Sequence, residues 1–296
     1  MTQTIDPFFW QNPPWSEGKP KYRLGLQPIP SSEWLNNKIN PSLHGHKKNL
    51  LEASYNKVVA TIDGSEEAQD ILNNFIKANT NNYPDLIADM SLMIQDDLCI
   101  VRSDGDQELI AACVCSPSYW DVQSKIGKSL HNIHGPVSTL NEKIGERISK
   151  FIRQSPIMKP FKRQNWLVHG DTNRFHLREE VDLNSNPETW FIRSEKETLC
   201  RFHEKYSLFT INLIVSPLRK AFSIMCLDKA AYSDGIPSLF GNCVISINGF
   251  LTESGAILNK GVSNIPGAIV LILIPIRARS LAIGSVMPTT PPLLAL

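Results

Sequence analysis

A run of seven small and apolar residues, Leu109 to Cys115 (LIAACVC), constrains the fold of this chain more than any other feature. It is short, has no polar alternation and is bounded by turn residues, which reads as a strand buried on both faces. Leu98 to Arg102 (LCIVR) precedes it, and Ser103-Asp104-Gly105-Asp106 lies between them. That segment is a turn signal, so the pair reads as a hairpin. A chain of 296 residues can enclose such a strand in a full core without disulfides or metal staples. A formal net charge of +1 gives no general attraction to nucleic acid or to an anionic membrane.

The segments around the hairpin suggest what covers it. Residues 1–30 are rich in Pro, Gly and aromatics, and Phe8, Phe9, Trp10 and Trp15 read as anchors of an N-terminal arm. A helix start is expected at Ser31 or Ser32, a helix over 47–60, and another from Glu66 to about Ala78 with Ser65 as its N-cap. Beyond the hairpin, Leu140 to Ile152 is helical, with Leu140, Ile144, Ile148 and Phe151 at helical spacing. Arg163 to His169, Trp190 to Arg193 and Leu208 to Val215 read as strands, and Glu195 to Phe202 as a short helix or turn. Helices first and strands later predict an α+β fold with an antiparallel sheet.

From Ser223 to Leu296 there are only seven charged residues, and the apolar runs lack a period. Ile265 to Ile276 is too short to span a bilayer, which needs about 20 residues. This tail reads as a buried strand pair, a membrane-adherent piece, or sequence that never evolved to fold here. The expected division is a domain over 1–222 and a divergent apolar tail over 223–296.

The chemistry-bearing residues are sparse. Six cysteines form no CxxC pair, and Met1 to Trp10 lacks the basic and apolar regions of a signal peptide. The expectation is therefore a cytoplasmic protein with reduced thiols. Cys113 and Cys115 lie two apart on a strand and read as core residues on one side of it. Seven histidines show no zinc-ligand spacing. His44-Gly45-His46 reads as a solvated loop. His134 stands before Gly135-Pro136, where a stiff loop leaves a buried strand and enters a helix. One imidazole on a rigid loop suits a single axial bond to haem iron, but on the residues alone a hydrogen-bonded structural histidine is the favoured reading. No GxGxxG, GxxxxGK[ST] or GxSxG motif is present. If a nicotinamide or flavin supplies electrons, another polypeptide must hold it.

Six segments in order carry a family resemblance: YRLGLQPIPSSEWL (Tyr22 to Leu35), AACVCSPSYW (Ala111 to Trp120), IHGPVSTLNEKIGER (Ile133 to Arg147), RQNW (Arg163 to Trp166), FIRSEKETLCR (Phe191 to Arg201) and FTINLIVSPL (Phe209 to Leu218). Together they resemble the haem-dependent oxidative N-demethylases of the haem-binding alpha-subunit type. The resemblance implies a PAS-like antiparallel sheet with packed helices around a b-type haem. It implies oxidative removal of a methyl group from a small secondary amine, typically dimethylamine, with O2. Electrons would come from NADPH through FMN and an iron–sulfur cluster on partner reductase subunits. By the same resemblance His134 is the candidate haem-iron ligand, Arg163, Arg193 and Arg201 are the candidate cofactor-binding residues, and Glu195 is the candidate catalytic residue, which holds the amine, relays protons or simply pairs with a motif arginine. No nucleic-acid partner and no membrane span are expected.

The chain departs from the family pattern at informative places. Ser138 replaces the second Pro of "PVP", Lys196 and Glu197 replace the Arg-Gln of "ERQTL", and Asn212 replaces the Arg of "FTIRTY". These departures lean toward a second reading, a PAS-like haem or ligand sensor or a catalytically impaired binding module. After Arg219 the resemblance stops, and the tail reads as a frame change or retained non-coding sequence.

Overall fold

A computed structural model describes residues 24–35, 37–78, 81–135, 140–177 and 189–217. The expected arm anchors at Phe8 to Trp15, the residues 136–139 that include Ser138, and the whole tail from 218 lie outside the described residues.

Seven strands of the described residues form one sheet in the order β1-β5-β6-β7-β3-β4-β2. They are β1 (Gln27–Pro28), β2 (Val59–Thr61), β3 (Asp97–Arg102), β4 (Leu109–Cys113), β5 (Phe161–His169), β6 (Phe191–Arg201) and β7 (Tyr206–Pro217). Every neighbouring pair is antiparallel. The protein is therefore α+β with an antiparallel sheet, as its order of elements predicts.

β4 is the apolar run singled out above, and all five of its residues are buried. The reason is its place between β3 and β2, with a helical layer on each face. Ile110, Ala111 and Cys113 join one core cluster, with Leu51 of α1 (Pro41–Ala53), Leu72 of α3 (Glu66–Ile76) and Met90 of α4 (Leu86–Ser91). Leu109 and Ala112 join a second cluster on the other face, with Leu130 of α5 (Leu130–Ile133), Ile144 of the π-helical turn Asn141–Gly145, and Ile148 of α6 (Glu146–Gln154).

The structure corrects three local expectations. The helix expected over 47–60 breaks at Ser54: α1 ends at Ala53, a single turn α2 covers Tyr55–Val58, and Val59 enters β2. β-branched valines pack better on a pleated surface than in a helix, which explains the switch. His44 and His46 lie within α1 rather than in a solvated loop, and His46 Nε2 is 2.7 Å from the Cys115 carbonyl. Glu195 to Phe202 is no helix or turn: Phe191 to Arg201 is one continuous strand. Its charged residues hid a period of two, because the charges are buried and partnered.

α1 is tied to the sheet by a buried cation. Lys47 Nζ donates to the carbonyls of Ser91 (3.1 Å), Ile94 (3.2 Å) and Asp96 (2.7 Å), and stands 3.6 Å from Asp97 Oδ1. Asp97 Oδ2 accepts from the Ser116 backbone N–H at 2.7 Å. The loop that follows β4 is thereby fixed to the start of β3.

Candidate functional site

Successive side chains of a strand point to opposite faces, so Arg193, Glu195, Glu197, Leu199 and Arg201 share one face of β6. Leu199 packs with Ile148 and Ile152, so this is the face that carries α6. Register places Arg163 of β5 opposite Glu197 and Asn165 opposite Glu195. The result is a buried cluster of two acids and two bases built from β5 and β6. Arg163 Nε is 2.8 Å from Glu197 Oε2. Asn165 Nδ2 donates to Glu195 Oε2 at 3.1 Å, and Ser118 Oγ donates to Glu195 Oε1 at 2.5 Å.

Burial dominates the electrostatics of both acids, because removal from water disfavours the charged form. It raises the Glu195 carboxyl above the usual range against the opposing pull of Arg193, Ser118, Asn165 and Arg163. It pushes Glu197 up to about 8; Arg163 opposes the rise, the neighbouring Glu195 charge adds to it, and the Asn165 amide opposes it. Glu197 is therefore largely protonated at pH 7, while Glu195 has the stronger set of partners for an anion.

Arg193 is fully buried and its donors are turned onto the chain itself. Nη1 donates to the Asn173 carbonyl at 2.7 Å, and Nη2 to the carbonyls of Ser116, Pro117 and Arg174 at 3.2–3.3 Å. Nε and Nη2 also reach Ser118 Oγ at 3.2 and 3.0 Å. One guanidinium thus staples the loop after β4 to the loop after β5. The two loops also bridge directly, through Tyr119 N–H to the His176 carbonyl (2.8 Å) and His176 N–H to the Pro117 carbonyl (3.1 Å). Tyr119 has a φ of +61°, an uncommon left-handed conformation for a bulky residue. Its ring stacks on His169 with centroids 4.9 Å apart, and its Oη is 3.3 Å from His169 Nδ1. His169 is 1% exposed and its Nε2 has no hydrogen-bond partner among the described residues. Burial, then Arg193 and His176, pull the imidazole down to about 2, so it is neutral.

His134 lies on the same side of the sheet but toward the other end of the strands. It caps the C-terminus of α5, its N–H bonds the Leu130 carbonyl at 2.9 Å, and it is 2% exposed. It lines a cleft of about 350 Å³ with Gln107, His131, Asn141, Ser149 and Arg153. Asn141 Oδ1 is buried there without a hydrogen-bond partner among the described residues. Arg201 abuts this region: Nη1 donates to the Arg153 carbonyl at 2.9 Å and Nη2 to the Glu204 carbonyl at 2.6 Å. Its buried Nε has no partner among the described residues. The structure thus brings Glu195, Arg163 and Arg193 together, and sets His134 and Arg201 apart from them.

Sequence reasoning missed Ser118, Asn165, Tyr119, His169 and Arg153. Ser118, Tyr119 and Asn165 stand inside the motifs CSPSYW and RQNW, where their letters were visible but their partners, on other strands and loops, were not.

No group of three or more His, Cys, Asp or Glu side chains placed to hold a metal ion occurs among the described residues. The cleft offers a haem edge a buried imidazole for iron and one guanidinium, Arg153, for a carboxylate, with the acids Asp106 and Glu146 also on its lining. No described helix is long and apolar enough to cross a membrane.

Fold and side chains together define an α+β protein that keeps a braced acid–base cluster buried on one face of an antiparallel sheet. Residues 85–225 match the family described as haem-dependent oxidative N-demethylase, alpha subunit-like, the family that the sequence motifs resemble. His134, Arg163, Arg193, Glu195 and Arg201 all fall within it. No curated protein matches the chain.

Proposed function

We propose that the protein is a haem-dependent oxidoreductase that removes a methyl group from a small secondary amine of the dimethylamine type. In the balanced reaction the N–CH3 carbon leaves as formaldehyde and the smaller amine remains. One atom of O2 enters the formaldehyde and the other becomes water, with two electrons and two protons taken up. The electrons come from a reductase partner that carries the NADPH, FMN and iron–sulfur chemistry. The observation that carries this reading is the family match over 85–225, within which the buried Glu195 cluster lies.

When bound, a b-type haem supplies activation of O2. His134 would hold its iron, and Arg153 and Arg201 would meet its carboxylates. Glu195 is the group for the amine: a buried carboxylate attracts an ammonium and excludes neutral competitors. Glu197, largely protonated beside it at pH 7, holds a proton within the same cluster. Arg193 fixes the two loops beside Glu195, and Arg163 balances the two acids.

One observation favours the sensor reading instead: both Glu195 oxygens are already bonded within the chain, to Ser118 and Asn165. A spectrum and an oxygen electrode separate the readings. Purified under haem-replete expression, the protein should be red, with a Soret band that His134→Ala abolishes or shifts. With a reductase partner it should consume O2 only when a secondary amine is present. A colourless protein sinks both haem readings, and a red protein without amine-dependent O2 consumption favours the sensor.

A further inference from the structure

The hydroxyl of Ser118 sits between a buried cation and a buried carboxyl, and its three hydrogen-bonding positions are all determined. A serine hydroxyl has one proton and two acceptor sites, whereas a guanidinium only donates. Arg193 Nε and Nη2 both donate to Ser118 Oγ, at 3.2 and 3.0 Å, which fills the two acceptor sites. The single Ser118 proton then has Glu195 Oε1, 2.5 Å away, as its acceptor. The backbone that carries the hydroxyl is held in place. Ser118 is bridged to His176, the flanking Pro117 carbonyl and Tyr119 N–H are bonded to the His176 backbone, and the chain turns sharply at Tyr119.

We propose that Ser118 is a positioning residue that relays the Arg193 charge onto Glu195 and holds it as a carboxylate ready for a cationic group. The proposal rests on the reading of Glu195 as the amine-holding residue. Ser118 occupies one position of Oε1 and Asn165 one of Oε2. A carboxylate has about four such positions, so Glu195 keeps acceptor capacity for a donor that arrives as a cation. The charged groups acting on Glu195 are Arg193 and Glu197 from its own strand and Arg163 from β5; each is accounted for in the same cluster. Arg193 turns its donors onto the loop carbonyls and Ser118 Oγ, and the serine carries its effect across to Glu195.

The test is an infrared pH titration of the full-length protein, following the protonated-carboxyl band that Glu195→Gln removes. Ser118→Ala should move the Glu195 midpoint up by about one pH unit or more, a tenfold gain in proton affinity. Ser118→Thr, which keeps the hydroxyl, should restore the wild-type midpoint. If Ser118→Ala loses its near-UV circular dichroism, Ser118→Cys replaces it, with a weak S–H donor in the same space and the same upward shift expected. An unmoved midpoint in the folded variant overturns the proposal, as does a threonine variant that behaves like alanine. The titration needs neither haem nor amine, so its failure refutes the relay alone. A colourless protein refutes the haem reading and leaves the relay standing.

Discussion

Glu197→Gln isolates the cost of a buried acid. The carboxyl is fully buried and sits at about 8 in the folded chain against an ordinary 4.5. Between those values the folded state holds a proton that the unfolded state has lost. Stability therefore falls as pH rises through that window: the contribution is fully present below about 4.5 and gone above about 8. At about 1.36 kcal/mol per pH unit, the interval amounts to an upper limit of roughly 5 kcal/mol. Glutamine keeps the shape and an acceptor for Arg163, but never ionises. Urea denaturation followed by tryptophan fluorescence at pH 5, 7 and 8.5 measures the difference. The variant should match wild type within about 1 kcal/mol at pH 5 and exceed it by about 2–4 kcal/mol at pH 8.5, allowing for partial relaxation around the charge. Parallel stability–pH curves for the two proteins would refute the reasoning, because they would show that Arg163 neutralises the carboxylate at no net cost.

Two further perturbations act elsewhere in the same framework. His169 is depressed to about 2 from 6.5, so it contributes stability that is present above 6.5 and drains away as pH falls toward the folded value. His169→Phe should remove that slope and gain about 2–3 kcal/mol on wild type between pH 6.5 and 4.5 in the same denaturation assay. Lys47→Met should lower stability by about 3–5 kcal/mol, since it leaves Asp97 and three carbonyls without their buried cation. A loss below about 1 kcal/mol there would mean that water replaces the ammonium.

Legibility in the sequence followed the range of the interactions. β4 was readable because its burial is written into every letter of LIAACVC, and helix 66–76 because its apolar spacing is local. β6 was misread because its burial is not apolar: besides Arg193 on the same strand, Glu195 and Glu197 are tolerated inside by residues from β5 and from the loop after β4, far away in the chain. The same distance hid Ser118, which looks like a strand terminator in SPS until Arg193 and Glu195 close on it. His134 was conspicuous beside Gly135, but its neighbours in the cleft, Gln107 and Arg153, come from a turn and a helix that no spacing rule connects to it. The extended form of β6 was encoded after all, in an alternation of two polar sets rather than of polar and apolar ones.

That alternation also changes the weight of the departure at Glu197. Read as letters, an acid in place of the family's glutamine puts a second negative charge two residues from Glu195 on the same face. Read with its surroundings, Glu197 carries a proton at pH 7, because burial outweighs the Arg163 charge. A protonated carboxyl offers one donor and a carbonyl acceptor, which is close to what an amide offers. Near neutral pH the residue is then a fair chemical stand-in for glutamine, and Arg163 is the cation that would otherwise face an amide. The likeness ends near pH 8, where Glu197 ionises and the cluster gains a charge that a glutamine never carries. The departure therefore leaves the site's neutral-pH electrostatics almost unchanged and makes them sensitive to alkali, so an argument for lost activity cannot rest on Glu197 below that pH.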